Sequence, residues 1–351
     1  MARRPTLKQV AEKAGVSLGM AGRVLGNYGS FSDTTKRKVT EAARTLDYTP
    51  NTIARSLRTQ LTKTIGVLIS DITTFFWTTL VRGIQDKAGK SGYSVILCNS
   101  DDESENEQLY LSTLFERNVD GLIVSPTPHN HSYLKRLARS RIPIVLVDRR
   151  VKGLRVPTIM TDNRTGAYEA VKHLIDLGHE RVAIITGIPG VETSEERFEG
   201  YRQALQDSGI PIRKTLIKEG YFQKDRAFAA TQELMRMKRP PSAIFVCNEP
   251  MVSGCILALK ERDLCIPRDI AIIGFDDPVW TSYMDPPLTA VSQPSYTIGI
   301  LAFEYLLAQI SESEKDRKYL EDVILKPTLV IRESCGISFK KHESHPAHEH
   351  S

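Results

Sequence analysis

The side chains best suited to chemistry fall just after apolar runs. Residues 71–77, D-I-T-T-F-F-W, follow T-I-G-V-L-I-S; Asp148, Arg149 and Arg150 follow Leu146 and Val147; Asp162 and Asn163 follow Met160 and Thr161. Further on, Arg197 opens R-F-E-G-Y, Asn248 and Glu249 follow F-V-C, and Asp276 and Asp277 follow Gly274 and Phe275. Carboxylates and guanidinium groups can hydrogen-bond paired hydroxyls, while an aromatic face at Phe76 or Trp77 packs on sugar C–H groups. The set reads as a polyol site. A phosphorylated sugar could share its charge between Arg149 and Arg197. A purine would instead stack on the aromatic and pair with an amide such as Asn163. Singly, each residue has a plainer role: Asp148 and Asp162 as helix caps, Arg197 as a surface arginine. Catalysis has weaker support. His129, His131, His173 and His179 have no evident nucleophile partner, and there is neither a glycine-rich phosphate loop nor a G-x-S-x-G motif. No catalytic residue, metal ligand or cofactor is expected.

Open parallel sheets bind ligands beyond the C-terminal ends of their strands, so the flanking pattern matters. From Lys63 onward it alternates. Strands are predicted at 64–70, 94–99, 121–125, 143–148 and 156–161, with helices near 77–91, 104–117, 130–140 and 163–177. A second set opens at 182–187, R-V-A-I-I-T-G, and continues near 216–221, 243–247 and 271–275, with Arg197 at a helix start. Continuous apolar strands alternating with helices imply parallel sheets covered on both faces. Two such sets imply two lobes.

The first 63 residues are of another kind. Thr6 can cap a helix, with Gln9 at capping-box spacing. Leu7, Val10, Ala11 and Ala14 form one apolar face, Gly15 stops the helix, and Ser17 can cap the next, whose inner face is Met20, Ala21, Val24 and Leu25. Residues 32–47 read as a third helix, turned inward at Val39, Ala42, Ala43 and Leu46. Two short helices around a glycine turn suit the major groove. Charge supports this. Residues 1–63 hold twelve Lys or Arg against four Asp or Glu, a net +8, whereas the whole chain is +5. The remainder is therefore −3, and the basic excess lies entirely in the first segment, as phosphate binding requires.

These motifs carry a resemblance. T-L-x-x-V-A-x-x-A-G-V-S, then R-V-L, L-D-Y-T-P-N-x-x-A-R-S-L and T-I-G-V-L-I make the chain similar to the LacI family of bacterial transcription regulators, and the likeness runs to about Cys335. It implies an all-α helix-turn-helix headpiece at 1–49 and a hinge helix and linker at 50–62. A two-lobed α/β domain of the periplasmic-binding-protein type would span 63–335. The first lobe would take 63–161 and 294–325, the second 162–293 and 326–335, with crossings near Thr161, Gln293 and Leu325. It places Leu18, Gly19 and Arg23 against base edges, Arg23 being able to pair guanine bidentately, with Thr6 and Ser17 also at the DNA. Gly19 departs from the usual polar residue. Met20, Ala21 and Gly22 stand where the family has T-V-S, so two phosphate-binding hydroxyls are missing. Gly19 and Gly22 together cost about 2 kcal/mol of helix propensity against Ala. In the hinge, Asn51 would cap, Arg55 and Arg58 would lie near phosphates, and Leu57 matches a leucine that wedges between central base pairs. The effector residues implied are Phe76 or Trp77, Arg149, Asn163, Arg197, Asn248 and Asp276. Glu249 replaces the more usual Asp; its extra methylene is expected to shrink or re-aim the pocket.

Composition sets the remaining bounds. An apolar fraction of 41% can build a core, and no run of 18 apolar residues exists. The N-terminus has no apolar signal core, and five scattered cysteines suit free thiols in a reducing cytoplasm. Residues 336–351 read as a solvated tail holding four of the eight histidines, with no leucine heptads. The expected protein is a cytoplasmic regulator, a repressor that binds a pseudo-palindromic DNA operator as a homodimer. A small ligand, a sugar or sugar derivative, would switch it, without a membrane partner. The alternatives are a solute-binding protein of the same fold, and a regulator answering to a purine or a protein corepressor.

Overall fold

A computed structural model describes residues 5–26, 28–49, 61–129, 131–140, 142–312 and 320–336. The chain divides into two compact units, Met1–Lys63 and Thr64–Ser351.

The first unit holds three helices among its described residues: α1 (Leu7–Ala14), α2 (Leu18–Leu25) and α3 (Asp33–Thr45). Each is capped by its own sequence. Thr6 and Gln9 form a reciprocal capping box on α1. Ser17 Oγ accepts from Met20 N at 3.2 Å on α2, and Ser32 Oγ from Thr35 N at 3.2 Å on α3. Gly15 ends α1 at φ +65°, where a side chain would be strained. Val10, Ala11, Ala14, Ala21, Val24, Val39, Ala42 and Ala43 form the core. Met20 and Leu25, read as inward, are only partly buried. The small alanines let three short helices approach closely, which leaves few apolar atoms to bury and makes the caps count.

The second unit contains two six-stranded sheets. In chain order its elements are β1 (Thr64–Ile69), α4 (Phe75–Lys90), β2 (Ser94–Asn99), α5 (Ser104–Glu116), β3 (Leu122–Val124), α6 (Ser132–Arg139), β4 (Ile144–Val147) and β5 (Thr158–Thr161). The chain then passes to α7 (Asn163–Asp176), β6 (Val182–Thr186), α8 (Glu192–Asp207), β7 (Ile217–Glu219), α9 (Lys224–Met235), β8 (Ala243–Val246), α10 (Glu249–Lys260), β9 (Ala271–Phe275) and β10 (Thr289–Ser292). Last come α11 (Ser295–Ser311), β11 (Val323–Leu325) and β12 (Thr328–Val330). The first sheet runs β11-β5-β4-β3-β1-β2, all parallel. The second runs β12-β10-β9-β8-β6-β7, parallel except where β12 lies antiparallel on β10. The fold class is therefore the one the alternating pattern implies. The chain leaves the first lobe after β5, returns after β10 as α11, and crosses again between β11 and β12.

Central strands β1, β4, β6, β8 and β9 are buried along nearly their whole length, as expected for sheets covered on both faces. Two boundaries differ from the sequence reading. Helix α4 begins at Phe75, and α8 begins at Glu192, so Arg197 sits in its second turn rather than at its start. At neither start does the N-cap residue, Thr74 or Val191, make a side-chain cap bond. Gly200 keeps α8 tight on α7: a Cβ there would stand 2.3 Å from Arg164 O. That close approach holds Arg197 in place.

Candidate functional site

In the first unit, Thr6, Ser17, Leu18, Gly19 and Arg23 are all exposed. Leu18, Gly19 and Arg23 share the outer face of α2, with Leu18 53% exposed, opposite Ala21 and Val24 in the core. A helix face that keeps a leucine in water is available for contact. Nothing lies within 4 Å of a Cβ built on Gly19, so packing inside the unit does not require a glycine there. Asn51, Arg55, Leu57 and Arg58 lie outside the described residues, as does the His-rich tail.

In the second unit a cleft of about 270 Å³ opens between the lobes. Nearly every polar wall residue stands beyond a strand's C-terminal end. From the first lobe come Ser70 and Asp71 after β1, Asp101 and Asp102 after β2, and Asp148 and Arg149 after β4, with Phe76 and Trp77 from the first turn of α4. From the second come Tyr221 to Gln223 after β7, Asn248 after β8, Asp276 after β9, Gln293 after β10, and Thr193 and Arg197 from α8. Asp148 and Asp276 occupy equivalent places in the two lobes and share a left-handed backbone, φ +72° and +78°. Aspartate tolerates that region better than most residues, and strain of this kind gathers at ligand clamps.

Arg197 is buried and fully oriented. Its Nε donates to Asn163 Oδ1 at 2.8 Å, Nη1 donates to Cys247 O, and Cζ lies 3.8 Å from the Phe275 ring centre. Neither bond uses Nη2. Asn163, expected at the ligand, is not a wall residue. It stands behind Arg197, with its Nδ2 donating to Thr161 O. Across the floor, Gln293 Nε2 donates to Asp276 Oδ1 at 2.6 Å. Burial pushes the Asp276 carboxyl above its ordinary range, and the Arg197 charge pulls it part of the way back.

Arg149 is not a free cation. Its Nε donates to Asp148 Oδ2 at 3.2 Å, and its Nη1 lies 3.2 Å from Asp102 Oδ1 in an ion pair without hydrogen-bond alignment. The sequence reading passed over Asp102 and Gln293, although both obey the strand-end rule. Phe76 and Trp77 pack edge to face, centres 4.8 Å apart, so the aromatic wall is a pair rather than one ring.

Two carboxylates of the second lobe reach across to the first. Glu249 is not in the pocket wall. Its Oε2 accepts from Phe75 N at 2.9 Å, supplying the cap that Thr74 does not, while its Oε1 accepts from Trp280 Nε1 at 3.0 Å. The additional methylene thus serves reach between lobes. Glu192 accepts from Arg150 N at 2.6 Å and Arg150 Nη1 at 2.7 Å, and Arg150 also binds Asp322.

One correction concerns the histidines. His173 does face a thiol: Nε2 is 3.3 Å from Cys335 Sγ. That sulfur is fully buried, also accepts from Thr289 Oγ1 and contacts Arg332 O. It ties the end of the described chain to the second sheet. Burial pushes the Cys247 and Cys255 thiols up to about 12, so neither is a nucleophile at neutral pH.

A helix-turn-helix unit followed by a two-lobed body with a polar interlobe cleft defines a ligand-responsive DNA-binding regulator. Residues 6–51 match the family model of bacterial regulatory proteins of the lacI family, and residues 62–333 that of periplasmic binding proteins and the sugar binding domain of the LacI family. The chain is 36% identical over 334 residues to the probable HTH-type transcriptional regulator EndR of Paenibacillus polymyxa, covering 94% of this chain and 98% of EndR. It is 33% identical over 328 residues to the HTH-type transcriptional repressor PurR of Vibrio campbellii, covering 93% and 97%. Among solved structures, the Lac repressor dimer bound to operator and the anti-inducer ONPF matches with a TM-score of 0.84 at 26% identity, covering 95% of this chain and 99% of that one. The chain belongs to the LacI family and is a DNA-binding transcriptional repressor, not an enzyme. No helix among the described residues is long and apolar enough to cross a membrane.

Proposed function

We propose that this repressor acts in the cytoplasm as a homodimer on a pseudo-palindromic operator and is switched by a sugar or sugar derivative bound between its lobes. One observation carries the ligand assignment: the oriented Arg197 guanidinium and the Asp276 carboxylate line one wall, and the Phe76–Trp77 pair lines the other. Charged donors and acceptors facing an aromatic surface match a ring that is hydroxylated at its edge and apolar on its face. Leu18 and Arg23 read bases from the face they share with Gly19, which has no side chain to read with; Thr6 and Ser17 lie at the backbone, and Asn51, Arg55, Leu57 and Arg58 form the hinge contact. Dimerisation is supported by exposed apolar side chains on both lobes: Leu97 on edge strand β2, and Leu257, Val279 and Tyr283 on the second. Ligand and operator affinities are coupled reciprocally.

Calorimetry against sugars and purines tests the assignment. A sugar should give heat, and Arg197→Ala should abolish it while ligand-free operator affinity stays within about twofold, since the headpiece is a separate unit. Normal effector binding by Arg197→Ala would place the pocket elsewhere. A purine is the second reading, because Phe76, Trp77, Tyr221 and Phe222 all reach the cleft and could stack a flat base. Heat from a purine alone would favour it.

A further inference from the structure

We infer that the effector carries no negative charge: the cleft takes a neutral or amino-substituted sugar and rejects its phosphorylated and acidic forms. The inference rests on the sugar reading above and adds the ligand's charge. Its first support is the balance of the walls. The first-lobe wall sets four carboxylates, Asp71, Asp101, Asp102 and Asp148, against one guanidinium, Arg149. That guanidinium is already answered by Asp148 and Asp102, each at 3.2 Å. On the second-lobe wall Arg197 faces Asp276, so its charge is balanced as well. The net excess of three negative charges therefore lies on one side of the cleft. Low-dielectric walls concentrate such a field. A phosphate placed to use Arg149 would have to displace two carboxylates or sit beside them.

The second support is the hydrogen bonding of the wall. Gln293 Oε1 is buried without a hydrogen bond, and Asp102 Oδ1 and Arg149 Nη1, also buried, have only each other, at 3.2 Å and out of hydrogen-bond alignment. Two accept and one donates. The Gln293 assignment follows from chemistry, since its other terminal atom bonds a carboxylate and must be the amide nitrogen. A hydroxyl can satisfy Asp102 and Arg149 together by donating to one and accepting from the other. An ammonium or hydroxyl can satisfy Gln293 Oε1. A phosphate or carboxylate oxygen placed at these atoms would set an acceptor against Asp102 and Gln293 Oε1, so these positions take the ligand's hydroxyl or ammonium groups and not its anionic group. Burial holds the Asp102 carboxyl above its ordinary range, with the Arg149 charge pulling against it and Asp148 and Asp71 adding to it. A metal ion is a poorer occupant, because no group of three or more metal-ligating side chains converges among the described residues.

The test uses the full chain and matched probes. Glucose, galactose and mannose are each offered as the neutral sugar, the 2-amino sugar and the 6-phosphate, with binding read by calorimetry and thermal shift. The expected result is that any series that binds does so as the neutral or amino form, with the phosphate at least tenfold weaker. Asp101→Asn, at the exposed edge of the wall, should narrow that gap and weaken the amino form relative to the neutral one. A phosphate that binds as tightly as its parent sugar overturns the inference while leaving the sugar reading intact. If no sugar binds in any charge form, the sugar reading fails and the charge inference fails with it.

Discussion

Replacing Glu249 by Gln should loosen the closed cleft before any ligand is added. Its carboxylate makes two bonds, but only the one from Phe75 N joins the lobes, since Trp280 belongs to the same lobe as Glu249. A hydrogen bond to a charged group contributes about 1.5–3 kcal/mol and a neutral one about 0.5–1.5. The glutamine keeps an acceptor and loses the charge, a difference of about 1 kcal/mol. A negative charge at the uncapped start of α4 adds about 0.3–1 kcal/mol. Together these weaken closure by about 1–2 kcal/mol, or about five- to thirtyfold in the ratio of closed to open forms. Glu249→Asp should act in the same direction, because the shorter side chain cannot span to Phe75. The assay is built into the molecule. Its two tryptophans are Trp77 in the cleft wall and Trp280, the donor to Glu249. Both variants should shift the tryptophan emission and expand the ligand-free protein in X-ray scattering. Adding Glu192→Gln, which weakens the bridge to Arg150, should expand it further. Unchanged scattering and effector affinity in Glu249→Asp would refute the latch and reduce Glu249 to a local partner of Trp280.

Three other outcomes are expected. Arg23→Ala should cost about 1–3 kcal/mol of operator binding and relax one base position, with wild-type binding falling steeply as salt rises; equal affinity for operator and scrambled duplex would contradict the assignment. Leu57→Ala should weaken operator binding far more than nonspecific binding, with the loss of bend read by permuted-site gel mobility; a mutant that bends its operator normally makes Leu57 a linker residue. Asp276→Asn should abolish effector binding yet grow more stable relative to wild type as pH rises from about 4 to 7. The sign follows from burial, which raises the folded-state pKa of Asp276 above its unfolded value. The wild type therefore holds a proton on folding at low pH and loses that stability as the carboxyl ionises in place. Denaturation midpoints across that range check it, and a difference that is flat or grows in favour of the wild type would contradict it.

Much of this protein is written locally. Thr6, Gln9, Gly15 and Ser17 specify where two helices start and stop, because caps act over three or four residues. The alternation of apolar runs with helical segments specifies two parallel sheets, and the strand-end rule then marks Arg149, Asn248 and Asp276 as cleft residues without any knowledge of how the lobes pack, whereas Arg197 reaches the cleft from the second turn of a helix. Partnership across the fold was not legible. Asn163 and Arg197 both carry polar groups suited to a ligand, and only the packing of α7 against α8 puts one behind the other. Arg149 reads as a free cation until β2 brings Asp102 beside it. Glu249 reads as a slightly long pocket residue, whereas its bond to Phe75 spans 174 positions. Caps and periodicity depend on a few neighbouring residues. The charge state of a cleft and the contacts that close it depend on which distant side chains two packed sheets bring within about 3 Å of each other.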